Sequence, residues 1–283
     1  MKGISILFIA VLLAVQGFSQ EEANFRKFKF GFKVDPNISW MSPKTADMVN
    51  EGVLLRGSFG LNADIMFSEN YALGTGFSIM GSGGQLSFFD TEVRTGDAGE
   101  SNFIVKRNRK YKLKYVEVPL TLKLRTDEIG YMTYWGQFGV GLGFATKATA
   151  DDDIKFFSQL VEDTTTGESS WLDAGSANST IAKEDEEEMG VDISGETLPF
   201  RASLIIGAGI DYSLSGNTSL MFGIAYNNGL TNVFKSKTTA IETNDDDNPS
   251  YGIDSEVIGG RFYNEFKMKS ITNSFVLTAG ILF

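Results

Sequence analysis

The chain has 283 residues, with 25 Lys and Arg against 36 Asp and Glu, and a formal net charge of −11. That balance excludes a nucleic-acid binder, which needs clustered Lys and Arg to neutralise phosphates. Cysteine and histidine are both absent, which excludes disulfides, thiol chemistry and Ser-His or Cys-His nucleophilic sites.

The first residues are Met1-Lys2-Gly3, followed by an apolar run over 4–15 and then Gly17, Phe18, Ser19 and Gln20. A positive start, a short apolar stretch and small residues predict a secretory signal over 1–19, cut after Ser19 or, second, after Gln20. The run is too short for a spanning helix, and no other stretch approaches about 20 apolar residues. No cysteine follows it, so a lipid anchor on an N-terminal cysteine is excluded. Residues 20–283 are expected to form one domain, since β-barrels of this length fold as single units.

Eight strands are predicted, at 27–40, 55–67, 71–80, 111–124, 132–146, 198–212, 218–230 and 266–283. In the second, Leu55, Phe59, Leu61, Ile65 and Phe67 alternate with Arg56, Ser58, Gly60, Asn62 and Asp64. In the fourth, Val116, Val118, Leu120, Leu122 and Leu124 oppose Glu117, Thr121 and Lys123. The fifth sets Tyr134, Phe138, Val140, Leu142 and Phe144 against Trp135, Gln137, Gly139, Gly141 and Gly143. Almost every strand alternates, and there are no apolar helices to cover the apolar faces. A closed barrel with lipid outside and a polar lumen satisfies both facts.

The connections alternate in length. Those at 68–70, 125–131 and 213–217 are short; those at 41–54, 81–110, 147–197 and 233–265 are long and read as loops. An even-stranded transmembrane barrel has short periplasmic turns and long extracellular loops, which places both termini in the periplasm. Phe67, Tyr71, Tyr131, Tyr134, Tyr212 and Phe283 fall at the short-turn end, as an interfacial girdle would. The fold class is therefore all-β, an eight-stranded antiparallel transmembrane β-barrel. The rival, a soluble sandwich or lipocalin-like barrel, leaves the loop asymmetry unexplained.

The segment Tyr115-Val116-Glu117-Val118-Pro119-Leu120-Thr121-Leu122-Lys123 resembles the PorT-like outer-membrane β-barrel family. So do the glycine-rich run Gly136-Gln137-Phe138-Gly139-Val140-Gly141 and the first strand, Phe30-Gly31-Phe32-Lys33-Val34 with Asn37 and Ser39. The resemblance implies an eight-stranded barrel in the outer membrane of a lineage with type IX secretion. The family's founding member is needed for that secretion and for gliding. Tyr115, Glu117, Pro119 and Leu120 carry the match.

Several residues are candidates for function. Arg56, Asp64, Glu117, Lys123, Arg201 and Asp211 point inward, as a structural plug of paired charges or as a narrow ion path. Asp151-Asp152-Asp153, the run 184–188 and Asp245-Asp246-Asp247 are weak Ca²⁺ candidates; none has EF-hand spacing, and like-charge runs usually stay solvated. Pro119 predicts a bulge or kink in its strand, or else a gap in pairing open to a partner. The terminal Phe283 resembles the signal read by the barrel-assembly machinery, and also suits an interfacial anchor. No cofactor is expected. The expected partners are outer-membrane lipid and lipopolysaccharide, the assembly machinery during biogenesis, and a secretion-system or surface partner. The expected function is non-enzymatic and structural or interactive, through the extracellular loops. The alternative is a narrow pore or an accessory of type IX secretion and gliding.

Overall fold

The structure, a computed structural model, describes residues 27–45, 48–96, 99–162, 169–173, 186–241 and 265–283. The signal segment 1–19 and Asp245-Asp246-Asp247 lie outside the described residues. Among the described residues twelve strands run in chain order: β1 (Phe28–Pro43), β2 (Val49–Met66), β3 (Tyr71–Gly96), β4 (Gly99–Arg125), β5 (Met132–Glu162), β6 (Ser169–Asp173), β7 (Glu186–Asp192), β8 (Phe200–Ser215), β9 (Thr218–Gly229), β10 (Thr239–Ile241), β11 (Glu265–Lys267) and β12 (Ser270–Leu282). Eight of them close a ring in the order β1-β2-β3-β4-β5-β8-β9-β12, all antiparallel. Closure is made by β12 against β1, from Gly31↔Leu282 to Pro43↔Ser270. Full closure leaves no unpaired edge.

The predicted alternation holds in every ring strand. Odd positions of β2 from Leu55 to Ile65 face outward, and Leu55 is 79% exposed while Asp64 on the opposite face is 1% exposed. Exposed apolar side chains encircle the ring, among them Phe32, Phe59, Phe77, Phe138, Ile206, Ile224 and Leu277. At the short-turn end aromatics pair around the rim: Phe67 with Tyr71, Tyr131 with Tyr212, and Phe30 with Phe283.

The long connections are the main correction. Residues 81–110 are not a loop: β3 and β4 continue as one hairpin to Gly96↔Gly99. β5 likewise runs on to Glu162, and β2 begins at Val49 rather than at 55. β6 and β7 add to this extension of β5, and β10 touches β3 at Ile241↔Phe89. A tilted strand crosses a membrane in about 9–11 residues. At 26 and 27 residues, β3 and β4 stand well clear of the belt.

The reason those segments read as loops is visible on β4. From Phe103 to Arg125 its odd residues face inward, but the polarity of the two faces inverts midway. From Lys123 to Glu117 the inward set is polar apart from Pro119, and Leu124 to Val116 outward is apolar. Beyond that point Leu113 and Tyr111 are buried inward, and the outward residues are Lys114, Lys112 and Lys110. The strand leaves an apolar surrounding and enters water. β5 adjusts by a bulge at Thr146, where the register steps from Tyr115↔Ala145 to Lys114↔Lys147. The extra residue reverses which parity faces in.

Candidate functional site

Among the described residues, buried side chains occupy the interior in layers. At the short-turn end Lys123 Nζ lies 2.8 Å from Asp64 Oδ2, and Arg125 reaches Asp64 at 3.6 Å and Asp211 at 2.9 Å. The Trp135 indole donates Nε1–H to Asp211 Oδ1 at 2.8 Å, and Lys123 Nζ sits 4.4 Å from the centroid of the same ring system. Lys29 lies beside this group, and Met221 and Leu282 pack against Trp135. Buried charges survive in a lumen only when paired and hydrogen-bonded, and here the pairs interlock.

One layer further in, Arg201 donates from Nη1 to Glu117 Oε2 at 2.7 Å and from Nε to Thr272 Oγ1 at 3.0 Å. Its guanidinium lies 5.8 Å from the Tyr115 ring centroid. These pairs span strands that are not neighbours, and a glycine on the strand between makes room. Gly74 pairs with Asp64 on one side and Thr121 on the other, and a Cβ there would stand 2.5 Å from Thr121 Oγ1. Gly141 lies under the Glu117 carboxyl, 3.1 Å from where its own Cβ would be. Arg56 is half-buried at the level of Gly81 and makes no ion pair among the described residues.

Above these polar layers the far mouth is closed by an apolar plug. Met41, Leu86, Phe88, Tyr111, Leu113, Ala148, Ile193 and Phe234 form its buried cluster. The segment 233–241 folds back to supply part of it, and the Tyr111 and Phe234 rings meet edge to face at 5.3 Å.

A second ionic group, which sequence reasoning missed, lies beyond the plug. Asp152 is fully buried and receives Arg107 Nη1 at 2.7 Å and Arg109 Nε at 2.6 Å. Arg107 also pairs with Glu92, and Arg109 with Glu196 at 2.7 Å. Burial pushes the Asp90 carboxyl above its ordinary value, while Arg107 pulls it back. Burial likewise pushes the Tyr111 phenol up. At the tip Phe103, Val105 and Ile154 form a small core of their own, with Phe156 against it. The alternation of Arg107, Arg109, Tyr111 and Leu113 was the available signal, hidden by the inversion of polarity.

The other candidates resolve individually. Strand alternation splits the acidic triplet and the bulge at Thr146 sets its parity: Asp152 faces in, while Asp151 faces out beside Lys112 and accepts the Gly190 amide at 3.0 Å. Asp153 is also on the outer side, so the three carboxylates do not converge. The described part of 184–188 lies on β7, where Glu186 pairs with Arg94 at 2.6 Å. Pro119 causes no bulge: it stays in register with Gly141, but between Gly74↔Thr121 and Ser78↔Glu117 the β3–β4 ladder has no paired residues. Proline has no N–H to give, and the facing Gly76 takes φ +150, which side chains disfavour. Leu120 faces outward in the belt. Phe283 exchanges backbone hydrogen bonds with Phe30, at 2.7 and 3.2 Å.

A closed antiparallel ring with an apolar exterior and a charged, packed interior defines the transmembrane β-barrels. Within that class, the chain belongs to the outer membrane protein beta-barrel domain family, which matches residues 18–235. Its place is accordingly the outer membrane, with the belt toward lipid. Three solved structures are similar at low identity. Neisserial surface protein A shares 9% identity, covering 91% of this chain and 96% of that one, with a TM-score of 0.39. OprG from Pseudomonas aeruginosa shares 10%, covering 90% and 95%, with a TM-score of 0.41. Ail, the attachment invasion locus protein of Yersinia pestis, shares 12%, covering 91% and 100%, with a TM-score of 0.34. No curated protein sequence matches the chain.

Proposed function

We propose that this protein is a non-conducting, non-enzymatic barrel that holds a rigid β-sheet platform outside the cell for contact with a surface or secretion partner. In this reading the termini and short turns are periplasmic and the β3–β4–β5 extension is extracellular, following the usual asymmetry of such barrels. The observation that carries it is the extension itself. Three strands continue beyond the belt as one paired sheet with its own buried apolar core and a buried Arg–Asp–Arg lock. Simple loops would join the same strands at lower conformational cost, so a stiff extension suits presentation of a surface. The filled lumen supports the non-conducting half of the reading.

The test is a pair of experiments on full-length protein. In planar bilayers the barrel gives no reproducible conductance steps; open states would overturn the plug and favour a narrow pore. In native membranes, affinity purification recovers a partner with the intact protein and loses it when 87–108 is replaced by a tight turn. Recovery of secretion-machine subunits would identify the accessory role. Equal recovery with and without the hairpin would overturn the platform.

A further inference from the structure

The outer face of β4 carries Lys110, Lys112 and Lys114 at successive outward positions, directly after Val118 and Val116. On the neighbouring strand Phe144 is followed, across the bulge, by Lys147. Lys114 and Lys147 stand opposite one another in the register, and both are exposed. Like charges facing across an antiparallel pair repel. Asp151 offsets Lys112 and the facing Lys110, and Asp192 lies within electrostatic reach of Lys147, which leaves two carboxylates for four lysines and none in an ion pair with Lys114 among the described residues. This concentration of positive charge runs against the chain's own balance of −11. Its height is equally specific, because the apolar belt ends one outward residue below.

We propose that Lys110, Lys112, Lys114 and Lys147 form a site on the outer wall of β4 and β5 for the phosphate groups of an outer-leaflet glycolipid. Four-carbon lysine stems lie along the top of the belt while the ammonium groups reach the headgroup layer. There the phosphates complete the counter-charge that Asp151 and Asp192 supply only in part. A soluble anionic partner would have to press against the membrane plane to reach the same level. The source of the phosphate, outer-leaflet glycolipid rather than phospholipid, rests on the orientation proposed above; the lysine cluster does not.

The experiment compares wild type, Lys114→Gln, the triple variant Lys110→Gln/Lys114→Gln/Lys147→Gln, and Lys27→Gln at the short-turn end. Each is folded in detergent, with heat-modifiable gel mobility as the check that the barrel is intact. The probes are a bisphosphorylated glycolipid, the same lipid with its phosphates removed, phosphatidylglycerol and inorganic phosphate, read by native mass spectrometry of bound lipid. A lysine at an anionic lipid surface contributes about 1 kcal/mol, which is roughly a five-fold change. Lys114→Gln is expected to weaken glycolipid binding about five-fold and the triple variant on the order of a hundred-fold, with Lys27→Gln unchanged. Removing the lipid phosphates should match the triple variant, and excess inorganic phosphate should not displace the lipid. Unchanged binding by the triple variant, or equal binding of the dephosphorylated lipid, would overturn the site. Preference for phosphatidylglycerol would overturn the glycolipid source, and displacement by inorganic phosphate would overturn a headgroup site. The orientation itself is tested separately, by surface labelling.

Discussion

Glu117 and Arg201 meet at 2.7 Å although their strands are not adjacent. β5 runs between them, and the residue level with both is Gly143, paired to Glu117 on one side and to Arg201 on the other. The ion pair crosses the intervening strand over a position without a side chain. In the Asp64–Lys123 pair the glycine is level with one partner only: Gly74 stands beside Asp64, and Lys123 reaches across from the level of Ala72.

Removing one partner of such a pair leaves an uncompensated buried charge. Glu117→Ala is expected to cost about 3–5 kcal/mol, measured as a shift of the urea unfolding midpoint in lipid vesicles. The double change Glu117→Leu/Arg201→Met should recover most of it, because an apolar pair removes both desolvation penalties. If Glu117→Ala alone unfolds like wild type, the pair is not a structural bond.

Trp135 makes a second prediction about glycine. It is level with Gly209 and Gly223 on the next two strands, and a Cβ at either would fall 2.3 or 2.6 Å from indole carbons. Gly223→Ala, whose Cβ would meet the indole before any backbone atom, should destabilise by about 1–3 kcal/mol through overpacking. In Trp135→Leu the same change should cost much less. A double-mutant cycle with no coupling would place the indole elsewhere.

Asp151 gives the acid limb. The hydrogen bond with Lys112, then the Gly190 amide, holds its carboxyl below the ordinary value. A depressed folded pKa means the contribution is fully present above the unfolded value, about 3.9, and is lost as pH falls through the folded one. Asp151→Asn should therefore flatten the loss of stability below about pH 4 and change little of its slope at neutral pH. An unaltered acid limb would remove Asp151 from the account.

The absence of native cysteine makes topology directly measurable. Val93→Cys at the hairpin tip should react with a membrane-impermeant maleimide on intact cells, whereas Glu128→Cys in a short turn should react only after lysis. Val93 is 57% exposed, so a failure to label would reflect sidedness rather than access.

Deletion of Phe283 removes a two-way backbone contact with Phe30 and a ring contact at 5.8 Å. Outer-membrane yield of folded barrel is expected to fall several-fold. Full yield would limit the residue to anchoring.

By itself the sequence determined the class of fold. Strict alternation in strands such as Leu55–Ile65, without apolar helices, admits little but a closed barrel. The short turns at 68–70 and 125–131 paired the right neighbours, and the inward positions of Asp64, Glu117, Lys123, Arg201 and Asp211 followed from parity alone. Their partners did not. Glu117 and Arg201 are 84 residues apart, and only closure of the ring brings them together over Gly143. The extension of β3, β4 and β5 was hidden for a different reason. Outside the membrane the solvent changes, so the apolar face moves from out to in, and a pattern sought in one polarity vanishes in the other. One extra residue at Thr146 then decides that Asp152 is buried between two arginines while Asp151 and Asp153 face water.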